Sequence, residues 1–135
     1  MFLTKDNGCR DSCDVLVIDD DPDVLDLLLA ILTKRGVSSK VLTSGKDLVV
    51  EIGRSHPRLL LLDVRLPGFN GYALCDLLKN EPSAAGIPIY FITALPAADV
   101  AWHVAQCGAA GFIQKPFTLA DIDNLLAEHG LLQAP

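Results

Sequence analysis

Two four-residue runs constrain this chain more than anything else in it. Val15-Leu16-Val17-Ile18 and Leu59-Leu60-Leu61-Leu62 are each apolar without interruption, and each is followed at once by aspartate. A strand with one wet face alternates apolar and polar residues, so an unbroken run reads as a strand buried on both faces, the pattern of a parallel sheet. Parallel neighbours need crossover connections, usually helices. The sequence supplies them. Residues 22–34 carry apolar side chains at 24, 25, 28, 29, 31 and 32, a helical period stopped at Gly36. Residues 37–42 read as a second, weaker strand, and Ser44 as the cap of a helix over 46–54 that Pro57 closes. After the third strand, residues 66–71 (Leu-Pro-Gly-Phe-Asn-Gly) form a loop rich in turn formers. A helix over 72–80, a strand over 88–92, a helix over 97–107 ended by Gly108, a strand over 112–114 and a helix over 119–128 complete the pattern.

Five βα units with short connections predict an α/β fold: a flavodoxin-like (βα)5, doubly wound, parallel five-stranded sheet with helices on both faces. The expected organisation is an extension over 1–13, one domain over 14–130 and a short tail over 131–135. The length of 135 residues suits one domain with a core of its own, and no internal repeat is present.

Composition narrows the function. There are 17 Asp+Glu against 11 Lys+Arg, a net charge of −6, and the basic residues are scattered, which argues against nucleic acid as a direct partner. No apolar run approaches the roughly 18–20 residues a membrane span needs. The first fourteen residues lack the apolar core of a signal peptide, so a cytoplasmic location is expected. Cys9 and Cys13, four apart, have no second pair of ligands, and His56, His103 and His129 are isolated; reduced thiols are expected, not a metal site.

In a doubly wound sheet, chemistry gathers at the carboxyl ends of the strands. There the first strand offers Asp19 and Asp20, the third Asp63, the fourth Thr93 and the fifth Lys115-Pro116. Clustered carboxylates need a compensating cation, and all-oxygen ligands favour a hard divalent ion, Mg²⁺ (or Mn²⁺). A lysine and a hydroxyl beside it suit phosphoryl oxygens, so the rim carries the equipment of phosphoryl transfer. Asp21 is set apart: an aspartate before Pro22 reads as the cap of the first helix. No Gly-rich loop follows the first strand, so nucleotide binding is not expected.

The segments VLVIDDDP, LLLLDVRLPGFNG, IPIYFITA and GFIQKPF resemble the sequence blocks of bacterial response-regulator receiver domains (CheY-like), in order and over residues 14–128. The resemblance implies a phospho-accepting module of two-component or phosphorelay signalling. Asp63 would be the phosphoacceptor. Mg²⁺ would be held by Asp20, Asp63 and the backbone carbonyl of Arg65, with Asp19 acting through water. Lys115 and Thr93 would bind the phosphoryl group, and Phe112 would follow Thr93 inward, altering the surface of the fourth helix, fifth strand and fifth helix. Phe112 replaces a tyrosine common at that position, so it lacks the hydroxyl. The Lys115–Pro116 bond would be cis. Pro22, Asp23 and Leu25 would dock the phosphodonor, a histidine kinase or histidine phosphotransfer protein, and a downstream protein would read the result. Such a domain is not an enzyme beyond its own phosphorylation and dephosphorylation. A haloacid-dehalogenase phosphatase shares the Asp, Mg²⁺, Thr and Lys, but wants an acid two residues after the nucleophile, where this chain has Arg65. A pseudo-receiver, acting only by docking, is disfavoured by the intact site. With Leu95 unable to orient water, slow autodephosphorylation is expected. Helices four and five lack the paired charges of one receiver dimer face, so a monomer or weak dimer is expected. A receiver portion of a longer transcriptional regulator is the alternative.

Overall fold

Val15 and Val17 face one side of the sheet and Leu16 and Ile18 the other, and all four are completely buried. This is the double burial that the unbroken apolar run predicts. A computed structural model describes residues 12–132. The expectations for residues 1–11, including Cys9, and for 133–135 lie outside the described residues. The main sheet is built of β1 (Val15–Ile18), β2 (Ser39–Leu42), β3 (Leu59–Leu62), β6 (Ile89–Thr93) and β7 (Gly111–Gln114), with β4 (Arg65–Leu66) and β5 (Phe69–Asn70) forming a separate small hairpin. The helices are α1 (Pro22–Lys34), α2 (Leu48–Ser55), α3 (Gly71–Lys79), α4 (Ala97–Cys107) and α5 (Leu119–Glu128). All main-sheet pairs are parallel, in the order β2-β1-β3-β6-β7. The order reverses direction at β1 and β3, which places a crevice at their carboxyl ends.

Two cores sit on the two faces of the sheet. Leu25, Leu28, Ile31 and Leu32 of α1 pack with Ile122, Leu125 and Leu126 of α5 on one face. Leu48 and Ile52 of α2, Leu74, Cys75 and Leu78 of α3 and Val100 and Cys107 of α4 pack on the other. The central strands β1, β3 and β6 are buried throughout, whereas the edge strands β2 and β7 are largely half-buried. The cores also take in Cys13 at one end and Leu131, with Leu132 packed beside it, at the other. Cys13, Cys75 and Cys107 are buried, and the Cys75 thiol donates to the Cys107 carbonyl at 3.4 Å.

Three local readings change. Ser44 does not cap α2: its hydroxyl accepts from the Lys46 N–H within a turn, and the helix begins later, after Asp47, with no side-chain cap. The loop at 66–71 contains the β4–β5 hairpin, in which Gly68 takes φ +74° after Pro67, the pattern of a type II turn. A short 3₁₀ turn, Pro82–Ala84, precedes β6.

Candidate functional site

The acids after β1 are placed by backbone bonds before they meet any ligand. Asp19 is fully buried, and its Oδ1 accepts from the Asp21 N–H at 2.9 Å. Asp21 in turn caps α1, accepting from the Asp23 N–H at 3.0 Å, with Pro22 in the first turn. The reading of Asp21 as cap therefore holds, and the cap leaves Asp19 and Asp20 turned to the crevice. Asp63, at the end of β3, is 7% exposed; its Oδ1 accepts from the Arg65 N–H at 3.3 Å. One carboxylate oxygen from each of Asp19, Asp20 and Asp63 lies within 4.8 Å of the others.

Lys115 bridges two of the three. Its Nζ is 2.9 Å from Asp19 Oδ2 and donates to Asp63 Oδ2 at 3.4 Å. The contact to Asp19 is close but poorly aligned, and Asp19 Oδ2 is left buried without a hydrogen bond. One ammonium does not balance three clustered carboxylates, and a buried anionic oxygen with no hydrogen bond is further stabilised by a second cation. Burial holds the Asp63 carboxyl above the ordinary carboxylate range; the Asp19 charge adds to this, and Lys115 partly opposes it. The Lys115 ammonium is held above its ordinary value: burial works against it, but Asp19 and Asp63 outweigh burial. The residues present therefore suit a hard divalent cation, on the donor chemistry and the orphaned oxygen alike.

Thr93 ends β6, nearly fully buried, with its Oγ1 accepting from the Leu95 N–H at 3.2 Å. The Lys115 N–H donates to the Thr93 carbonyl at 2.8 Å, so β7 delivers the lysine in register. The Lys115–Pro116 bond is cis, as expected. Asp63, Arg65, Thr93, Ala94, Leu95, Pro96 and Lys115 line a cleft of about 360 Å³. Phe112 is half-buried against the core that α2, α3 and α4 share and is not among the residues lining this cleft.

The expected docking trio divides. Pro22 and Asp23 are exposed, but Leu25 is 7% exposed and belongs to the α1–α5 core, because it shares the helix stripe of Leu28 and Leu32. The exposed leucine on that helix is Leu27. Two residues of the site were not singled out from sequence. Gly71 donates its N–H to the Val64 carbonyl at 2.7 Å, and a Cβ there would lie 2.5 Å from the Asp63 carbonyl oxygen, so only glycine lets α3 begin against the end of β3. Gln114 Nε2 donates to the Leu95 carbonyl at 2.6 Å, tying the end of β7 to the Thr93 loop. The first could have been suspected from Asn70-Gly71 directly before an apolar helical pattern; the second carries no local mark.

Comparison with known proteins agrees with this geometry. The family profile described as Response regulator receiver domain matches residues 15–127. The DNA-binding response regulator MtrA of Mycolicibacterium smegmatis is 34% identical over 104 residues, 76% of this chain and 44% of MtrA. The chain thus spans less than half the length of this curated relative. The BeF3-activated N-terminal receiver domain of Klebsiella pneumoniae RstA superposes with a TM-score of 0.79 at 30% identity, covering 86% of this chain and 97% of that one. The receiver domain of a sensor histidine kinase from Pseudomonas aeruginosa PAO1, solved with magnesium coordinated in its active-site cleft, shares the fold with a TM-score of 0.78 at 23% identity, covering 88% and 98%. With the profile spanning nearly the whole described fold and the acids, hydroxyl and lysine gathered at one sheet rim, this chain belongs to the response regulator receiver domain family.

Proposed function

We propose that the chain accepts a phosphoryl group on Asp63 from the phosphohistidine of a histidine kinase or histidine phosphotransfer protein, in a two-component or phosphorelay system. The observation that carries the reading is the environment of Asp63: a buried carboxylate, hydrogen-bonded to Lys115 and beside a buried Asp19 oxygen with no hydrogen bond of its own. Asp63 Oδ attacks phosphorus, the new O–P bond forms as the P–N bond breaks, and the imidazole nitrogen of the donor leaves with the bonding pair. Asp19, Asp20, Asp63 and the Arg65 carbonyl are the groups that would hold Mg²⁺ or Mn²⁺. The ion, when bound, neutralises charge on the carboxylates and on the incoming phosphoryl oxygens.

The remaining residues act once the phosphoryl group is in place. Phosphorylation takes the carboxylate from a charge of −1 to about −2. Lys115, already on Asp19 and Asp63, gains a phosphoryl oxygen as a third anionic partner, and Thr93 Oγ1 exchanges the Leu95 N–H for a phosphoryl oxygen. Phe112 then moves inward and alters the α4–β7–α5 surface that a downstream protein reads. Pro22 and Asp23 border the cleft as the donor's docking surface, with Leu25 supporting them from the core. Leu95 lines the cleft without a group to orient water, and Arg65 offers no general acid, which supports a long-lived phosphoprotein and disfavours phosphatase activity toward other substrates. No helix among the described residues is long and apolar enough to cross a membrane, and a cytoplasmic monomer or weak dimer with no direct nucleic-acid contact fits the acidic chain. A second reading, a receiver portion of a longer transcriptional regulator, is favoured by the short share of MtrA that the chain matches.

Incubation with Mg²⁺ and acetyl phosphate tests the proposal. Intact mass should rise by one phosphoryl group in the wild type and stay unchanged in Asp63→Asn. A labelled Asp63→Asn protein, or an unlabelled wild type in the presence of Mg²⁺, would overturn it.

A further inference from the structure

Beside the Asp63 cleft lies a smaller one of about 250 Å³ at the meeting of α3 and α4, walled by Tyr72, Leu95, Asp99, Trp102 and His103. The Tyr72 and His103 rings stack with centroids 3.8 Å apart and planes 12° apart. Trp102 meets His103 edge-on at 4.9 Å and is 61% exposed. Tyr72 also packs edge-to-face on the core residue Phe91 at 5.0 Å, which fixes its ring from below. Its hydroxyl, however, is buried with no hydrogen-bond partner. Burial first, and then the nearby Asp99 and Cys107, hold that phenol above its ordinary value, yet no hydrogen bond joins it to Asp99. Asp99 itself has no ion pair among the described residues.

A buried oxygen without a donor, an unpaired carboxylate close by and an exposed indole together ask for one kind of occupant. An apolar group would leave the hydroxyl orphaned, and an anion would meet Asp99. A cation with N–H donors satisfies all three. The walls of this cleft supply no Lys or Arg, and Asp99 is the only Asp, Glu, Lys or Arg of α4. A second copy joined through this face would set acid against acid.

We infer that this cleft anchors a basic side chain, arginine in preference to lysine, presented by a protein partner. The guanidinium lies against Trp102, donates to the Asp99 carboxylate and, once the cleft opens at Trp102, to the Tyr72 Oη that is otherwise buried; its planar fork fixes the spacing of its donors while it stacks, which a point-charge ammonium does not. Leu95 walls both clefts, and its N–H is the one held by Thr93 Oγ1, so a change at Thr93 reaches the anchor through a single residue. The inference rests on the reading that a protein partner receives the output; it does not require Asp63 to be phosphorylated.

Trp102 is the sole tryptophan, so its fluorescence reports this cleft directly. The probes are N-acetyl-arginine amide and its uncharged isostere N-acetyl-citrulline amide, titrated into the unphosphorylated chain at pH 8. The arginine probe should give a saturable change, with half-saturation on the order of millimolar for so small a ligand. Citrulline should give none. Asp99→Asn, on the helix surface, and Tyr72→Phe, which keeps the stack but removes the hydroxyl, should each weaken the arginine response by up to about tenfold. No saturable response, an equal response to citrulline, or unchanged binding in both variants would each overturn the anchor. Failure of wild-type Asp63 to take a label from acetyl phosphate would strike the phosphoacceptor reading and leave this titration standing. Normal labelling with no arginine response would strike the anchor alone.

Discussion

On the acidic side of the cleft, each residue is tied to the next before α1 begins. Asp19 accepts from the Asp21 N–H, Asp21 accepts from the Asp23 N–H, and the helix beyond them sinks Leu25, Leu28, Ile31 and Leu32 into the core. Its far end is clamped to α5 by a two-pronged Arg35–Asp123 pair at 2.7 and 2.9 Å. On the other side, Thr93 holds Leu95 by one hydrogen bond, Pro96 precedes α4 without a side-chain cap, and α4 fully buries only Val100 and Cys107. One side of the cleft is a fixed frame; the helix on the other side buries two side chains where α1 buries four. On the proposed reading, a phosphoryl group that pulled on Thr93 would act on the side with fewer buried side chains, which is where a two-state element belongs.

Core truncation should expose this difference most strongly. Leu28→Ala on α1 is expected to cost about 2–5 kcal/mol in urea unfolding, since the site is fully buried and closely packed. Val100→Ala on α4 removes two methyl groups and should cost about 2 kcal/mol. An α4 variant that matched or exceeded the α1 variant would erase the distinction between frame and movable side.

The acids come next. Because the folded Asp63 carboxyl is held above its unfolded value, the folded state keeps its proton to higher pH than the unfolded chain. This group's contribution is full below the unfolded pKa of about 3.9 and is lost as pH rises through the folded value, so the metal-free protein is weakened on going from acid to neutral pH. Asp63→Asn should remove that part of the decline; urea midpoints of the two metal-free proteins at pH 5 and pH 8 measure it. A wider wild-type-to-variant gap at pH 5 than at pH 8 would reverse the sign. Mg²⁺ at about a hundredfold excess over its Kd should restore about 2.7 kcal/mol to the wild type, and much less to Asp19→Asn.

Much of this was legible in the sequence because the features are local. An apolar run ending in acid states both a buried strand and a rim position, so β1 and β3 and their aspartates could be read directly, and Asp21-Pro22 announced the start of α1. What escaped depends on tertiary contact or on elements too short to have a period. The β4–β5 strands are two residues each, so Leu66 and Phe69 read as loop. Ser44 and Asp47 are both acceptable caps in isolation, and the turn between β2 and α2 decided against the first. Leu25 reads as part of a docking surface from its closeness in sequence to Pro22 and Asp23, whereas helical spacing carries it into the core. The Tyr72–His103 stack joins residues 31 apart, a pairing no local pattern marks.

A smaller effect sharpens the comparison at its caps. Asp21→Ala removes the α1 cap and should cost about 1 kcal/mol. It should also release the Asp21 N–H geometry that orients Asp19, so Mg²⁺ should stabilise the variant less than the wild type. Unfolding curves with and without Mg²⁺ check both parts. A loss of stability with the full Mg²⁺ increment retained would separate the cap from the acid pocket.

The smallest effect is the most local. Gln114 is exposed, and its amide donates to the Leu95 carbonyl, so Gln114→Ala should lower global stability by no more than about 0.5 kcal/mol. Its consequence lies in the β6–α4 connection, where that bond and the Thr93–Leu95 bond are the side-chain ties. Amide exchange at Leu95 and in the first turn of α4 should quicken, while amides of β1 and α1 exchange as before. If the movable side is held this lightly, losing one tie also favours the arrangement in which Thr93 has left Leu95, and the phosphorylated form should be reached with no added barrier. Uniform acceleration across both sides would mean that the cleft opens as one unit, and that the frame and the movable helix are not energetically distinct.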